Sequence, residues 1–337
     1  MSDKRLPKKL ILANIAFLIV NLIWGAANPI IKYTLSYIPP LTFLFLRLLI
    51  VCVILLPYAI LKLSEIKIAK KDYVNFFLLG LFSQSSLAII FVAMNYTTAL
   101  DATIISIITG ALIIYAGHYF YKDKVNKPLE YGVLLTIFGT FIVILEPLLT
   151  GKHTNVPIYE RIIGNGLALV YNLTWVVYVL WSKMATTEEK PKLLKKTLQF
   201  LNLKPMSKIY SPTLVVVITM YVGLLTAIPL ALLENFVFYK GAQASFNILS
   251  IDSGGFLGLL YMSIFSSIVA FTLNQWALNH RRVSDSAIFG YLGPVFSFPI
   301  TYLLLREVPT PALIIGALFV ALGVFIAEYN AHKLNSR

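Results

Sequence analysis

The sequence predicts an all-α integral membrane protein with ten transmembrane helices, arranged as two inverted five-helix repeats. Three observations predict this fold class: the apolar composition, regularly spaced apolar runs, and a set of residues that recurs in the second half. Hydrophobic residues make up 58% of the chain and charged residues 13%, against about 45–50% and about 25% in soluble domains. A water-soluble fold could not bury this much apolar surface.

The apolar runs are long enough to cross a membrane as helices. A spanning helix needs about 20 apolar residues for a hydrocarbon layer of about 30 Å, and backbone groups in lipid must pair within their own segment. We therefore predict spans at residues 11–34, 40–62, 73–95, 99–121, 129–149, 160–183, 211–236, 254–278, 283–306 and 311–330. The alternating pattern of a membrane barrel is absent from these runs.

Polar, proline and glycine positions of the first half recur in the second at an offset that is constant within each segment. Duplication followed by loop insertion produces this pattern. The recurring pairs are Asn21/Asn172, Trp24/Trp175, Lys32/Lys183, Pro40/Pro212, Pro57/Pro229, Asp101/Asp285, Gly132/Gly316 and Gly139/Gly323. The predicted domains are a first repeat at residues 1–149, an external linker at 150–159, and a second repeat at 160–337 with a cytoplasmic insertion at 184–210.

The placement of basic residues predicts the topology. The net charge of +13 could indicate nucleic-acid binding, but most lysines and arginines fall at one set of span ends. The opposite loops hold only Lys152, Arg161, Lys240 and Arg306. By the positive-inside rule both termini are cytoplasmic. Five spans per half is an odd number, so the second repeat enters the membrane in the opposite sense.

The insertion at 184–210 carries leucines on one helical face and lysines on the other. We interpret it as a short helix on the anionic inner leaflet, with a solvated linker as the alternative.

Two cations inside spans are candidate functional residues, because a cation at the centre of a spanning helix costs about 2.5–3.5 kcal/mol on insertion scales. Lys32 follows Asn28-Pro29, where proline can open the helix, and its ammonium could instead reach the outer interface. Arg47 lies deeper, and its repeat partner is the neutral Thr219. It is expected either to bind an anionic substrate group or to bond to helix carbonyls.

Aromatic and amide side chains inside the spans complete the predicted cavity. The full set of candidate substrate-binding residues is Trp24, Asn28, Lys32, Arg47, Gln84, Tyr115, Tyr171, Asn172, Trp175, Tyr178, Asn274 and Tyr291. For the amides, an interhelical hydrogen bond is the structural alternative.

Acidic residues are scarce inside the spans. Asp101 and Asp285 begin their helices and are interpreted as caps, and no carboxylate is expected at the midplane. This disfavours a proton-coupled exporter of lipophilic cations. The sequence shows no enzyme signature, metal-binding motif or phosphate loop, so we predict no enzyme activity, no cofactor and no metal.

These residues resemble a known family. Trp24-Gly25, Asn28-Pro29, Lys32 and Arg47 resemble the start of the EamA domain of the drug/metabolite transporter superfamily. Residues 291–296 (YLGPVF), 305–309 (LREVP), Gly316 and Gly323 resemble its last two spans. The chain departs from the pattern at Gly110, where proline is usual, and at Lys122-Asp123, where Gly-Glu is usual.

The resemblance implies a central cavity lined by spans one, three, four, six, eight and nine. Inverted repeats place a site near the midplane and permit alternating access, for which Gly110, Gly290 and Pro294 are candidate gating or hinge residues. The expected function is export or exchange of small metabolites such as amino acids. The alternatives are a nucleotide-sugar or organic-phosphate exchanger, with Lys32 and Arg47 holding the phosphate, and a non-transporting membrane component.

The expected partners are the lipid bilayer and a small-molecule substrate, without nucleic acid. The expected state is a monomer or a homodimer in the plasma membrane.

Overall fold

The computed structural model describes residues 8–66, 68–121, 127–150, 156–188, 196, 205–238, 251–283 and 289–335. Within these ranges the regular structure is entirely helical. The all-α prediction is therefore confirmed for the described part of the chain. The expected surface helix in the insertion and the expected cap Asp285 lie outside the described residues.

The helices of the first half follow the predicted spans, with several of them divided by short irregular segments. They are α1 (Lys8–Gly25), α2 (Ala27–Thr34), α3 (Pro40–Glu65), a 3₁₀ turn (Lys70–Asp72), α4 (Tyr73–Gly80), a π-helical segment (Leu81–Ser85), α5 (Leu87–Tyr96), α6 (Ala99–Tyr121), α7 (Lys127–Ile144) and α8 (Glu146–Thr150).

The second half has a corresponding series. It contains α9 (Ile158–Thr186), α10 (Pro212–Leu233), a π-helical segment (Glu234–Phe238), α11 (Ser253–Tyr261), a π-helical segment (Met262–Val269), α12 (Ala270–His280), α13 (Leu292–Leu305) and α14 (Pro311–Asn335).

The described residues contain seven helical segments that are long and apolar enough to cross a membrane. They are Lys8–Thr34, Pro40–Lys62, Lys70–Tyr96, Ala99–Tyr121, Ile158–Thr186, Pro212–Val237 and Ser253–His280. Shorter apolar helices lie at Glu130–Ile144, Leu292–Leu305 and Pro311–Gly323, where the remaining three spans are predicted. The chain is a multi-pass membrane protein.

The outward-facing surface of the bundle is apolar. Val53, Leu225 and Leu257 expose 61%, 67% and 65% of their surface, and many other large apolar side chains are similarly exposed. Soluble proteins rarely expose extended apolar patches. Lipid chains, which are as apolar as leucine, provide the matching environment.

Helix interruptions have local causes. The first span is divided at Ala26, three residues before Pro29, which lacks the backbone N–H that would continue the ladder. The third and eighth predicted spans each contain a π-helical segment, at Leu81–Ser85 and Met262–Val269. Such segments are common at functional sites, and the second of them contributes residues to the cavity described below.

The helices pack in a small number of close pairs. The buried core runs through α1, α3, α5, α6, α9, α10 and α12, and α3 packs on α10. α7 packs on α14, where glycines permit close approach: a Cβ at Gly139 would lie 2.8 Å from the carbonyl oxygen of Gly316. The glycines that recur in the two halves therefore have a packing role.

Candidate functional site

A cavity of about 200 Å³ lies within the helical bundle. On α6 its lining includes Ser106, Gly110 and Ile113, halfway along the helix. Helices α1, α2, α5, α6, α9 and α12, together with the Met262–Val269 segment and residues 290 and 293, supply most of the wall. These are the six spans that the family resemblance implied. Arg47 of α3 adds a seventh.

Nine of the residues selected from the sequence lie at this cavity. They are Trp24, Asn28, Arg47, Tyr171, Asn172, Trp175 and Asn274 among the candidate substrate-binding residues, and Gly110 and Gly290 among the candidate hinges.

The other candidates lie elsewhere. Tyr115 is 46% exposed on the surface of the bundle. Gln84 is fully buried next to Gly223, whose Cβ, if present, would lie 2.4 Å from that of Gln84. The remaining residues outside the lining are Lys32, Tyr178, Tyr291 and Pro294.

Two of these residues support the wall from behind. Tyr178 is fully buried, donates to the amide oxygen of Gln275 at 3.2 Å, and packs on Trp175 with ring centroids 5.0 Å apart. The Tyr291 ring occupies the space beside Gly110, where an added Cβ would meet it at 2.7 Å. The glycine that replaces the usual proline therefore makes room for this tyrosine.

Arg47 is the charged side chain among the described residues that line the cavity. Its side chain is 1% exposed, and Nε donates to Ser267 Oγ at 2.6 Å. Nη1 has no hydrogen-bond partner among the described residues. The guanidinium lies 5.8 Å from the centre of the Phe91 ring, and no described carboxylate lies within ion-pair distance. A buried cation without a carboxylate is costly, and inside a membrane such residues usually have a function.

Three aromatic rings form one side of the cavity, and we call them the aromatic cluster: Trp24, Trp175 and Phe271. The two indoles are perpendicular, with ring centroids 5.2 Å apart. Phe271 lies 5.3 Å from Trp24 and 5.5 Å from Trp175, again edge to face. Edge-to-face pairs at this distance are the favoured geometry. Trp24 is further fixed because its indole N–H donates to the Ser266 carbonyl at 3.1 Å.

The amides of the wall have different partners. Asn28 donates to Thr103 Oγ1 at 3.2 Å. Asn172 donates to the Ala168 carbonyl and accepts from Thr109, both at 2.7 Å. The contacts of Asn28 with Thr103 and of Asn172 with Thr109 are the interhelical bonds considered as the structural alternative, whereas Asn172 and Ala168 belong to the same helix. Asn274 is 7% exposed and lines the cavity, so its amide is the more available group.

Lys32 is directed away from the cavity toward the end of a neighbouring helix. Its ammonium donates to the backbone carbonyls of Met94 at 2.5 Å and Thr97 at 2.9 Å. Met94 lies in the last turn of α5 and Thr97 is its C-cap residue, and this end carries the partial negative charge of a helix C-terminus. The lysine therefore fixes the end of α2 to the end of α5.

Charged residues are concentrated near the N-terminal end of α6, which follows Thr97 in the chain. Arg161 bonds to Asp101 at 2.7 Å and to Glu146 at 2.8 Å, and all three side chains are almost fully buried. Glu307 accepts the N–H groups of Ala99 and Leu100 at 3.1 and 3.0 Å. We call these four residues the ionic cluster: Asp101, Glu146, Arg161 and Glu307.

The ionic cluster corrects one expectation. Asp101 does not cap its helix; Thr98 does so, since its Oγ1 accepts the Asp101 N–H at 3.0 Å, and Glu307 accepts the two preceding N–H groups. Arg161 lies in the first turn of α9 and Asp101 in the first turn of α6, so their ion pair joins the starts of two helices. Burial raises the pKa of the Glu307 carboxyl, against the opposing effect of the two backbone N–H groups.

Two residues of the site had no distinct sequence signal. Ser267, the partner of Arg47, is one of several serines in its span, and phenylalanines such as Phe271 are common in apolar spans. Among the described residues, no group of three or more His, Cys, Asp or Glu side chains is placed to hold a metal ion.

Comparison with known proteins identifies the class. The EamA-like transporter family matches residues 11–145 and 197–329 of the chain. These two ranges cover most of the sequence, one in each half. The chain belongs to the EamA-like transporter family, whose members are transporters and not enzymes.

Individual relatives agree with this membership. The chain is 25% identical over 314 residues to an uncharacterized transporter of Archaeoglobus fulgidus, covering 93% of this chain and 96% of the relative. It is 24% identical over 316 residues to a probable amino-acid metabolite efflux pump of Escherichia coli, covering 93% of each. A solved crystal structure shares the fold with a TM-score of 0.58 at 17% identity, over 96% of this chain and 98% of that one.

Proposed function

We propose that this protein is a secondary transporter that exports or exchanges small metabolites such as amino acids by alternating access. The central cavity is its substrate site. The observation that carries this proposal is the cavity itself: a pocket, lined by both halves of a membrane bundle, that combines a buried guanidinium with an aromatic cluster.

We infer ten spans in two inverted repeats, an architecture that permits this mechanism. The packing supports it: α1 packs on α12 as α9 packs on α5, and α1 packs on α13 as α9 packs on α6. In the two repeats α1 corresponds to α9, α5 to α12 and α6 to α13. Each of these contacts therefore becomes its counterpart when the two repeats are exchanged. The π-helical segments of the third and eighth spans also fall at overlapping repeat positions.

Side-chain contacts follow the same symmetry. Asn21 donates to the Phe17 carbonyl at 2.8 Å, and Asn172 donates to the Ala168 carbonyl at 2.7 Å. Asn172 follows Asn21 by 151 positions, and Ala168 follows Phe17 by the same 151 positions. Such a relation is expected if one ancestral segment was duplicated.

The two gates lie at opposite ends of α6. One gate comprises Lys32 on the α5 carbonyls together with the ionic cluster. The other comprises Lys183, which donates to the Arg281 carbonyl at 2.8 Å and lies 5.6 Å from the centre of the Tyr121 ring. The 23 residues of α6 separate these ends by about 34 Å. Breaking one gate while keeping the other opens the cavity to one side.

The lysine-rich loops assign the Lys183 gate to the cytoplasm and the Lys32 gate to the outside. Both termini are then cytoplasmic and the protein lies in the plasma membrane. The name of the Escherichia coli relative, a probable amino-acid metabolite efflux pump, supports outward movement of a small metabolite.

A phosphate exchanger is the less favoured alternative. It requires two or more cations at the substrate, and Lys32 bonds to backbone carbonyls outside the cavity. That leaves Arg47 as the cation of the described wall.

Purified protein in liposomes tests the function. Counterflow is measured over a panel of amino acids, their deaminated carboxylates, phosphorylated metabolites and cationic dyes, with and without a pH gradient. We expect exchange of small amino acids or carboxylates. Movement of phosphorylated compounds alone would support the exchanger, and no movement of any compound would support a non-transporting component.

A further inference from the structure

We propose that the cavity selects monoanionic carboxylates carrying a flat ring, in preference to zwitterionic amino acids of the same shape. This inference rests on the proposed transport function and adds to it the chemical class of the ligand.

The charge of the wall provides the first argument. Among the described lining residues Arg47 is the sole charged side chain; the others are apolar, aromatic, amide, hydroxyl or glycine. A ligand of charge −1 balances the buried guanidinium. A zwitterion also brings an ammonium group into a wall without a described carboxylate, and an uncompensated buried charge carries a large desolvation cost.

The geometry of Arg47 provides the second argument. A guanidinium has five N–H donors in a planar fork that matches the two oxygens of a carboxylate. Ser267 accepts the Nε donor and in turn donates to the Met262 carbonyl at 2.8 Å, so the hydroxyl is held in position. Nη1 of Arg47 has no partner among the described residues. The structure thus orients the guanidinium and leaves donor capacity for a ligand.

The aromatic cluster provides the third argument. Trp24 and Trp175 come from the two halves and meet at 89°, and both line the cavity together with Phe271. Flat rings pack against such edges and faces with favourable geometry. The cavity volume of about 200 Å³ is below the roughly 300–1,000 Å³ of pockets for drug-sized ligands. One ring with a short acidic arm suits this space.

Three ligands of similar shape but different charge test whether the cavity prefers a carboxylate, a zwitterion or an ammonium: 3-phenylpropionate, L-phenylalanine and 2-phenylethylamine. Binding to the purified protein in lipid nanodiscs is measured at pH 7 by calorimetry and by indole fluorescence. We expect 3-phenylpropionate to bind about tenfold or more tightly than L-phenylalanine, since the ammonium loses its hydration without a charged partner, and 2-phenylethylamine to bind most weakly. Equal or tighter binding of L-phenylalanine overturns the proposal.

Variants at Arg47 and Ser267 test which residues cause the preference for the carboxylate ligand. Arg47→Gln is expected to abolish the preference for the carboxylate, and Ser267→Ala to weaken carboxylate binding while keeping the order of ligands. Lys62→Gln is the charge-matched control, because Lys62 is half-exposed and pairs with Glu65; its binding order is expected to match the wild type. An unchanged preference in Arg47→Gln overturns the proposal. If Arg47→Gln does not fold, the order of ligand affinities in the wild type and the affinities of Ser267→Ala test the proposal instead.

Failure of this inference differs from failure of the transport function. If the carboxylates do not bind but an uncharged or zwitterionic metabolite exchanges in liposomes, the ligand class is wrong and the transport function stands. If the carboxylates bind in nanodiscs but nothing exchanges, the ligand class stands and the transport function is wrong.

Discussion

Lys32 and Lys183 make equivalent contacts at opposite ends of α6. Lys32 donates to the Thr97 carbonyl at 2.9 Å and Lys183 to the Arg281 carbonyl at 2.8 Å. The lysines stand 151 positions apart, and the two carbonyls 184 positions apart, the offset that also relates Gly132 to Gly316. Each lysine thus fixes the end of one span to the end of another at an equivalent position of its repeat.

This equivalence predicts opposite effects of the same substitution. Lys32→Gln removes an ammonium from the α5 carbonyls, and Lys183→Gln removes one from the Arg281 carbonyl. Because each change weakens one gate only, we expect Lys32→Gln to favour the state open to the outside and Lys183→Gln the state open to the cytoplasm. The measurement is the labelling rate of a reporter cysteine at Ile107, in a Cys52→Ser background, from each side of sealed vesicles.

Lys62→Gln serves as control, with labelling rates equal to the parent. Parallel changes in both lysine variants would contradict the gating role, and so would unchanged rates in both.

Gly25 predicts a second effect, on stability. A Cβ at Gly25 would lie 2.8 Å from the backbone oxygen of Gly293, which cannot rotate away, whereas a Cβ at Gly166 would meet nothing within 4 Å. We expect Gly25→Ala to lower the free energy of unfolding by about 1–3 kcal/mol through overpacking. Gly166→Ala is expected to raise it slightly through helix propensity. Thermal unfolding in detergent compares the two, and equal midpoints would show that α1 can move away from residue 293.

Replacing Arg161 is expected to destabilise the protein more than Gly25→Ala does. Its guanidinium bonds to two buried carboxylates, Asp101 and Glu146, at 2.7 and 2.8 Å. Removing one partner of a buried ion pair typically costs about 3–5 kcal/mol, so Arg161→Met is expected to lower the unfolding midpoint strongly. The triple variant Asp101→Asn, Glu146→Gln, Arg161→Met is expected to regain most of the loss. A single variant as stable as the wild type would contradict this account.

The sequence predicted the helical class and the positions of the apolar helices because apolar length and period are local properties. It selected Arg47, Trp24 and Trp175 because a charge or an indole inside an apolar run is conspicuous. It could not place Lys32, whose direction depends on where the end of α5 lies. Likewise, the pairing of Asp101 with Arg161 joins residues 60 positions apart, and their contact follows from packing that no local pattern records.

Glu307 predicts a pH effect. Burial raises its pKa above the ordinary 4.5, so the folded state binds this proton more tightly than the unfolded state. The resulting stability is present below pH 4.5 and is lost as the pH rises through the raised pKa. Over that window we expect the unfolding midpoint of the wild type to fall relative to Glu307→Gln, whose amide does not titrate. Midpoints of both proteins in detergent, from about pH 4 to about pH 8, measure the difference. A difference that is constant with pH, or one that changes in favour of the wild type as the pH rises, would show that the N–H groups of Ala99 and Leu100 outweigh the cost of burial.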